Sequence, residues 1–249
     1  MNYNPYSLKG KTILITGASS GIGQTTAIEC SKMGAKLIIT ARNEERLNET
    51  CKQLVGTGHE KIIADLTSEE DMNNLVNSVS GLDGLLNNAG INKMVPIQFI
   101  NKADLDSILK INTLAPVYLT QLLYKKKKFN KGASIVFTST IGGITSFGLG
   151  NAMYGMSKSA INSFVKFAAL EFAARKIRCN CVNPGMIETP LINTVGSLSS
   201  EDLQKDMELY PLKRYGQPND VAFGIIYLLS DASSWVTGIN IVIDGGRSI

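Results

Sequence analysis

The sequence has few of the residues that signal a metal centre, a disulfide framework or a nucleic-acid surface. It contains one histidine, four cysteines and a formal net charge of only +4 over 249 residues. Cys30, Cys51, Cys179 and Cys181 show no paired CxxC spacing, and His59 has no ligand partner near it. Because basic and acidic residues are interspersed, nucleic acid is not an expected partner. No metal site is expected either.

Long apolar runs are also absent. No run approaches the roughly 20 residues that a helix needs to cross a bilayer. Residues Met1 to Lys11 are polar and lack the charged start, apolar centre and small-residue cleavage site of a signal peptide. We therefore expect a cytoplasmic protein with no membrane partner.

The sequence instead shows a regular alternation of two kinds of apolar segment. Short runs rich in Ile, Val and Leu predict strands buried on both faces: Thr12–Thr16, Lys36–Ala41, Lys61–Ala64, Leu82–Leu86, Ser134–Thr138, Arg178–Val182 and Ile239–Ile243. Longer stretches with helical spacing lie between them: Gly23–Met33, Glu44–Leu54, Ser68–Val79, Ala103–Tyr124, Ala152–Arg175 and Pro218–Leu229. This order predicts an α/β fold with a doubly wound, mostly parallel seven-stranded sheet and helices on both faces. Residues 1–249 are expected to form a single domain.

One stretch, Ile187–Tyr215, breaks the alternation because it is polar and rich in turn residues before a short helix. We expect it to form a lid over the carboxyl edge of the sheet, where ligands bind in such folds. Substrate-pocket side chains are expected from Asn92–Ile97, Ile141–Asn151 and Met186–Leu212. These segments hold no cluster of charge, so the reacting end of the substrate is predicted to be uncharged or weakly polar.

The first predicted strand runs directly into a glycine-rich turn that opens a helix. Glycine permits a tight turn and close approach of the backbone to a pyrophosphate, and the amides at the helix start then face the anion. The sequence therefore predicts a dinucleotide site at Gly17, Ser19, Ser20, Gly21, Ile22 and Gly23.

The residue after the second strand indicates which dinucleotide is bound. Sites for NAD place a carboxylate there to accept hydrogen bonds from the adenosine ribose, whereas this chain has Arg42. A guanidinium can pair with a 2′-phosphate, which predicts NADP(H) as the cofactor. The alternative is that Arg42 is an exposed arginine at a helix start with no ligand.

The ordered motifs together resemble the short-chain dehydrogenase/reductase family, in its single-domain branch similar to 3-oxoacyl-carrier-protein reductases. The resemblance is carried by Gly17, Gly21, Gly23, Asp65, Asn87–Gly90, Asn112, Tyr154 with Lys158, Pro184–Gly185 and Asp244–Gly246. It implies a Rossmann fold and NADP(H)-dependent hydride transfer between nicotinamide and a small-molecule carbonyl or secondary alcohol. A 3-oxoacyl thioester is one candidate substrate. The resemblance also implies a homotetramer, with a dimer as the alternative.

The same resemblance assigns further cofactor contacts. Asp65 and Leu66 are assigned to the adenine. Asn88, Ala89 and Gly90 are assigned to the adenosine ribose side. Ile187 and Thr189 are assigned to the nicotinamide carboxamide and a nearby phosphate. The implied cofactor-binding set also includes Pro184, Gly185, Tyr154 and Lys158.

Tyr154 and Lys158 are the predicted catalytic pair. They are four residues apart in a helical stretch, so both side chains project from one face about one turn apart. A nearby ammonium and a bound nicotinamide cation would favour the phenolate, and Tyr154 could then exchange a proton with a substrate oxygen. The family resemblance adds Asn112, as the residue that holds a water linking Lys158 to solvent.

The family also has a hydroxyl residue at the end of the fifth strand that donates a hydrogen bond to the substrate oxygen. Thr140 fits this place most simply, but it lies 14 positions before Tyr154 where the family usually shows 13. Ser139 is the adjacent candidate, and it would face the other side of the strand because side chains alternate. Both remain open at this point.

A second class of function is a dinucleotide-binding sensor or scaffold that has lost turnover. The presence of Tyr154, Lys158 and Asn112 favours the enzyme. An assay of cofactor oxidation with several carbonyl compounds separates the two.

Overall fold

A seven-stranded sheet forms the centre of the computed structural model, which describes residues 3–191 and 200–249. Its strand order is β3-β2-β1-β4-β5-β6-β7, and every neighbouring pair is parallel. The strands are β1 Thr12–Thr16, β2 Lys36–Ala41, β3 Glu60–Ile63, β4 Leu82–Asn87, β5 Phe129–Thr138, β6 Arg178–Pro184 and β7 Asn240–Ile243. The predicted doubly wound α/β sheet is confirmed.

Helices connect the strands. They are α1 Gly21–Lys32, α2 Glu44–Lys52, α3 Glu69–Ser78, α4 Lys102–Leu109, α5 Ala115–Lys125, α6 Ala152–Phe172, α7 Ser200–Glu208 and α8 Pro218–Leu229. Local chemistry explains several helix starts. The Asn43 side chain accepts a 2.8 Å hydrogen bond from the Arg46 amide at the start of α2, and Ser68 accepts one from the Asp71 amide at the start of α3.

The apolar core is divided into two layers by the sheet. Leu14 of β1 belongs to the layer that includes α3, α5 and α6. Its neighbours Ile13 and Ile15 belong to the layer that includes α1, α2 and α8. This alternation within one strand is what burial on both faces requires, because successive side chains point to opposite sides.

The strands at the two ends of the sheet are more exposed than predicted. In β3 only Ile62 is partly covered, and Val242 of β7 is exposed. Burial on both faces therefore holds for the central strands and not for the edges, where fewer helices pack. Strand β5 also begins five residues earlier than predicted, at Phe129, and its pairing with β4 shifts register between Leu82 and Gly84.

The long helix predicted over 103–124 is interrupted by one π-helical turn, Lys110–Leu114, between α4 and α5. The short helix predicted within Ile187–Tyr215 is α7, whereas residues 192–199 of the predicted lid lie outside the described residues. Within 3–191 and 200–249, no helix is long and apolar enough to cross a membrane.

Candidate active site

A cavity of about 1140 Å³ lies at the carboxyl ends of the strands, the edge at which open parallel sheets bind ligands. Almost all of the residues predicted for the site line it: Gly17, Ser19, Ser20, Gly21, Ile22, Arg42, Asp65, Leu66, Asn88, Ala89, Gly90, Ser139, Thr140, Tyr154, Lys158, Pro184, Gly185, Ile187 and Thr189. Gly23 and Asn112 are not among the residues that line the cavity. The structure thus brings together residues from seven separate segments of the sequence.

The glycine-rich turn is shaped by contacts that exclude side chains. Gly17 has φ +64°, and a Cβ there would lie 2.8 Å from the Ala89 Cα. A Cβ on Gly23 would lie 2.3 Å from the Gly17 carbonyl oxygen. Gly23 therefore lets α1 pack against the turn, whereas the turn residues before it border the cavity.

Hydrogen bonds join the end of β4 to the same turn. The Thr16 hydroxyl accepts from the Asn88 amide at 3.0 Å and from the Ala89 amide at 3.2 Å. The Asn88 side-chain nitrogen donates to the Gly17 carbonyl oxygen at 3.3 Å. Asn88–Gly90 is therefore held beside the turn that is predicted to receive the pyrophosphate.

Two arginines border the cavity beyond the end of β2. Arg42 follows the strand, and Arg46 lies in the first turn of α2; both are exposed. In the described parts of the chain, neither guanidinium has a carboxylate within 4.0 Å. Sequence analysis missed Arg46. The pattern that could have identified Arg46 is its position four residues after Arg42, at the start of a predicted helix.

Asp65 lies on the same side of the cavity. Partial burial acts to raise the pKa of its carboxyl, but hydrogen bonds from the Thr67 amide and hydroxyl outweigh that effect, and the charges of Arg42 and Lys110 add to them. The pKa of Asp65 is therefore below its usual value. Arg42 and Asp65 form an exposed, charged border at the end of β2 and β3.

Tyr154 and Lys158 lie one turn apart near the start of α6. The Lys158 ammonium is 4% exposed and donates a 2.8 Å hydrogen bond to the Thr138 carbonyl oxygen. Burial lowers the pKa of Lys158 to about 8, although Cys181 acts in the opposite direction. Burial raises the pKa of Tyr154 to about 12. Lys158 does not offset that rise, so Tyr154 is a neutral phenol at pH 7 in this structure.

The two candidate hydroxyls of the β5 end have different surroundings. The Ser139 side chain is 2% exposed; it donates to the Lys158 carbonyl oxygen at 2.9 Å and accepts from the Asn162 amide nitrogen at 3.1 Å. The Thr140 hydroxyl accepts from the Gly142 amide at 3.1 Å and makes only a long 3.4 Å contact to the Pro184 carbonyl oxygen. Ser139 is thus fully used in joining β5 to α6, and Thr140 retains a weakly held hydroxyl hydrogen.

Asn112 lies inside the π-helical turn, and its side chain is fully bonded to protein. Its oxygen accepts from the Ile91 amide at 2.9 Å, and its nitrogen donates to the Ile91 carbonyl at 2.8 Å and to the Ser157 hydroxyl at 3.0 Å. Because Pro116 has no N–H, the Asn112 carbonyl has no ordinary i+4 partner. The main-chain carbonyl, rather than the side chain, is therefore the group available to a water.

The segment with one extra residue, between Thr140 and Tyr154, packs on α6 through glycines. A Cβ on Gly143 would lie 2.5 Å from the Ser159 hydroxyl oxygen, and one on Gly155 would lie 2.5 Å from the Gly142 carbonyl oxygen. Beyond these contacts, Phe147 and Leu149 border the cavity and are largely exposed. The segment between Thr140 and Tyr154 thus combines close glycine packing on α6 with an exposed apolar rim at the cavity.

Charged and polar side chains line the substrate half of the cavity, and of the four described next only Arg247 lies outside the segments predicted to form the pocket. Arg247 and Asp206 both line it, although the pocket segments were predicted to hold no cluster of charge. Asn92 and Asn151 line it as well, each with a buried side-chain oxygen that has no hydrogen-bond partner in the described structure. Arg247 gave no signal because its motif, the Asp244–Gly246 turn, was interpreted only as part of the final strand.

Comparison with known proteins agrees with this geometry. The sequence profile of the enoyl-(acyl carrier protein) reductase family matches residues 17–248. A 3-oxoacyl-[acyl-carrier-protein] reductase of Rickettsia conorii is 35% identical over 239 residues, covering 96% of this chain and 97% of the relative. A tropinone reductase homolog of Arabidopsis thaliana is 33% identical over 252 residues, covering 98% and 92%.

A solved structure shares the whole fold. An Agrobacterium tumefaciens protein, provisionally described as a 2-deoxy-D-gluconate 3-dehydrogenase and solved with bound NADP, has a TM-score of 0.86 at 28% identity, with 98% of this chain and 99% of that chain covered. With the profile, the relatives and the fold in agreement, the chain belongs to the short-chain dehydrogenase/reductase family of oxidoreductases.

Proposed function

We propose that the chain is an NADP(H)-dependent oxidoreductase that transfers a hydride between nicotinamide and a carbonyl or secondary alcohol. The observation that carries the proposal is the arrangement of Tyr154, Lys158 and Thr140 on one cavity wall at the end of β5. A buried phenol with a pKa of about 12 is a proton donor at neutral pH, which suits reduction of a carbonyl.

The chain's own residues would divide the work as follows. Thr140 donates a hydrogen bond to the substrate oxygen and orients it, and Tyr154 supplies the proton to that oxygen. Lys158 would hold a positive charge at the cavity floor, where it could bind a hydroxyl of the cofactor, and the Asn112 carbonyl would hold a water that links Lys158 to solvent. The cofactor, when bound, supplies or accepts the hydride.

The residues at the far end of the cavity fit NADP(H). The glycine-rich turn borders the cavity, and Gly17 lets it lie directly against Asn88–Gly90 because a Cβ on Gly17 would lie 2.8 Å from the Ala89 Cα. Arg42 and Arg46 offer two guanidinium groups with no ion-paired carboxylate among the described residues, so a 2′-phosphate would be their partner. The related Agrobacterium protein with bound NADP supports the same choice.

A 3-oxoacyl thioester is one candidate substrate, supported by the Rickettsia relative. The exposed side chains of Phe147 and Leu149 at the rim suit an acyl chain or another apolar group.

The experiment that tests the function is titration with NADPH and NADH, followed by loss of reduced-cofactor absorbance over a panel of ketones, 3-oxoacyl thioesters and keto-sugars. Tighter binding of NADPH and turnover of one substrate class support the proposal. Binding without turnover of any compound, in either direction, would favour the sensor or scaffold instead.

We further propose a homotetramer of one-domain subunits in the cytoplasm. Two separate faces of the subunit expose large apolar side chains, as two different two-fold contacts require. The first face includes Tyr118, Phe167 and Leu170 on α5 and α6, and the second includes Phe223, Trp235 and Val242 near α8 and β7.

All four cysteines lie in the described residues and are free, as in a reducing compartment. Light scattering on the purified protein tests the assembly, with a dimer as the alternative outcome.

A further inference from the structure

Another arginine borders the cavity at the end opposite Arg42. Arg247 follows β7, and its guanidinium carbon lies 5.9 Å from the centre of the Tyr210 ring. In the strand order, β7 is five strands away from β2, which at about 4.8 Å per strand separates the two strand ends by roughly 24 Å. A phosphate bound beside Arg42 is therefore too far away to be the partner of Arg247.

The position of Arg247 is fixed by the turn that precedes it. Gly245 and Gly246 adopt φ +61° and +87°, and a Cβ on Gly246 would lie 2.7 Å from the Pro211 Cγ. The Leu212 amide donates to the Gly245 carbonyl oxygen at 3.2 Å. This close packing on the segment after α7 holds Arg247 against Tyr210 at the cavity wall.

The carboxylates nearest to Arg247 are already bonded to other groups. The two oxygens of Asp244 accept from the amides of Gly246 and Ser248, at 3.0 and 2.9 Å. Asp206 accepts from the Tyr215 hydroxyl at 2.9 Å. Among the described residues no carboxylate lies within 4.0 Å of the Arg247 guanidinium. Residues 192–199 contain no acidic side chain, and the side chain of Asp202 lies outside the described part of the chain.

A half-buried guanidinium without a counter-ion, on the wall of a cavity, is arranged to receive an anion. Its planar fork matches the two oxygens of a carboxylate or a phosphate, and such charge-assisted pairs are stronger than neutral hydrogen bonds. Strand β7 is two strands from β5, so the end of β7 lies about 10 Å from the end that carries Thr140. That distance spans a short carbon chain.

We infer that the substrate carries an anionic group, a carboxylate or a phosphate, at the end away from its reacting carbon, and that Arg247 binds this group; the inference rests on the proposed oxidoreductase function. Arg247 thus determines specificity and takes no part in the proton or hydride steps. The reacting end stays uncharged, since the anion is bound about two strands away.

The test compares acids with matched neutral compounds. With NADPH, kcat/KM is measured for 3-oxobutanoate, 5-oxohexanoate and 7-oxooctanoate against their methyl esters, and for dihydroxyacetone phosphate against dihydroxyacetone. We expect one anion to be preferred by about 10- to 100-fold, the value of one charged hydrogen-bonded pair. A preference for the acids over their esters identifies the anion as a carboxylate, and a preference for dihydroxyacetone phosphate over dihydroxyacetone identifies it as a phosphate.

Variants assign the preference to Arg247. Arg247→Met keeps the packing on Tyr210. It should reduce the ratio of the kcat/KM values for acid and ester to about one, through a higher KM for the acid. Arg247→Lys keeps the charge and should retain part of the preference for the acid. Lys131→Met removes one exposed positive charge near the amino end of β5, whereas the cavity lies at the carboxyl ends of the strands. This variant should leave the ratio unchanged. An equal rate for every acid and its ester, in a protein that does reduce ketones, overturns the inference and leaves the proposed function standing.

Calorimetry provides a readout that needs no turnover. With NADP⁺ present in saturating amount, so that the proposed cofactor phosphate sites are filled, hexanoate or inorganic phosphate should bind to the unaltered protein and lose its affinity in Arg247→Met. If no carbonyl compound is reduced but this binding depends on Arg247, the anion site is supported and the proposed function fails. If neither anion binds and no acid is preferred, the anion site is refuted.

Discussion

The Lys158 ammonium donates a 2.8 Å hydrogen bond to the Thr138 carbonyl oxygen in the interior of the protein, one helical turn from Tyr154. This contact holds a buried positive charge at the end of β5, beside the glycine of Asn88–Gly90. A Cβ on Gly90 would lie 3.3 Å from the Lys158 Nζ, so Lys158 forms the floor of the cavity at that point.

The affinity for NADPH should fall as pH rises through about 8. Lys158 has a lowered pKa of about 8, so it is a cation below that pH and neutral above it, and an anionic cofactor prefers the cation. Tyr154 and Cys181, with pKa values of about 12, stay protonated through this window. Fluorescence titration at several pH values measures the effect. Lys158→Met should bind more weakly with no such pH step; an identical step in that variant contradicts the assignment.

Tyr154→Phe should reduce kcat by about 10²- to 10⁴-fold, the usual contribution of a positioned acid or base, with the cofactor affinity little changed. The ring is retained, so packing in α6 is preserved and the loss reports on the proton donor. Steady-state kinetics and NADPH titration on the same preparation separate the two quantities. Turnover near that of the unaltered protein would mean that another group donates the proton.

The two hydroxyls at the end of β5 should respond differently to removal. Thr140→Val should lower kcat and leave the melting temperature nearly unchanged, because the Thr140 hydroxyl makes only a 3.4 Å contact besides the one it accepts. Ser139→Ala should destabilise the fold by about 1–3 kcal/mol, because it removes the buried hydrogen bond to the Lys158 carbonyl and leaves the Asn162 side-chain amide without the Ser139 acceptor. Thermal unfolding and kinetics on both variants test this. The reverse pattern would transfer the catalytic hydroxyl to Ser139.

Arg42→Ser should reduce the preference for NADPH over NADH by about 10- to 100-fold, which is the worth of a charge-assisted pair with a 2′-phosphate. The loss should appear in the KM for NADPH, whereas kinetics with NADH should change little. Lys131→Met serves as the matched loss of charge at a remote surface. An unchanged ratio of kcat/KM values for the two cofactors would show that Arg42 does not contact the phosphate.

The alternation of apolar segments was sufficient to predict the sheet, its strand count and most helix bounds, because buried strands and amphipathic helices have different periods. That the residues of short local motifs such as Thr16–Gly23 line one cavity was also predictable, because such motifs follow directly on the carboxyl ends of strands. The interruption at Lys110–Leu114 was not predicted, although Pro116 directly after it lacks the N–H that a continuous helix would need there. Arg247 was missed because its place beside Tyr210 is set by tertiary packing.

The order of the strands has a consequence for how such an enzyme can diversify. The residues proposed to select the cofactor follow β2, and the one proposed to select the substrate follows β7. The proposed reacting groups lie between them, just after β5 and at the start of α6. Because sites this far apart usually contribute additively, a substitution at one end should leave the selectivity at the other end intact. Substitutions near β7 can therefore change the preferred substrate while the preference for the cofactor stays the same.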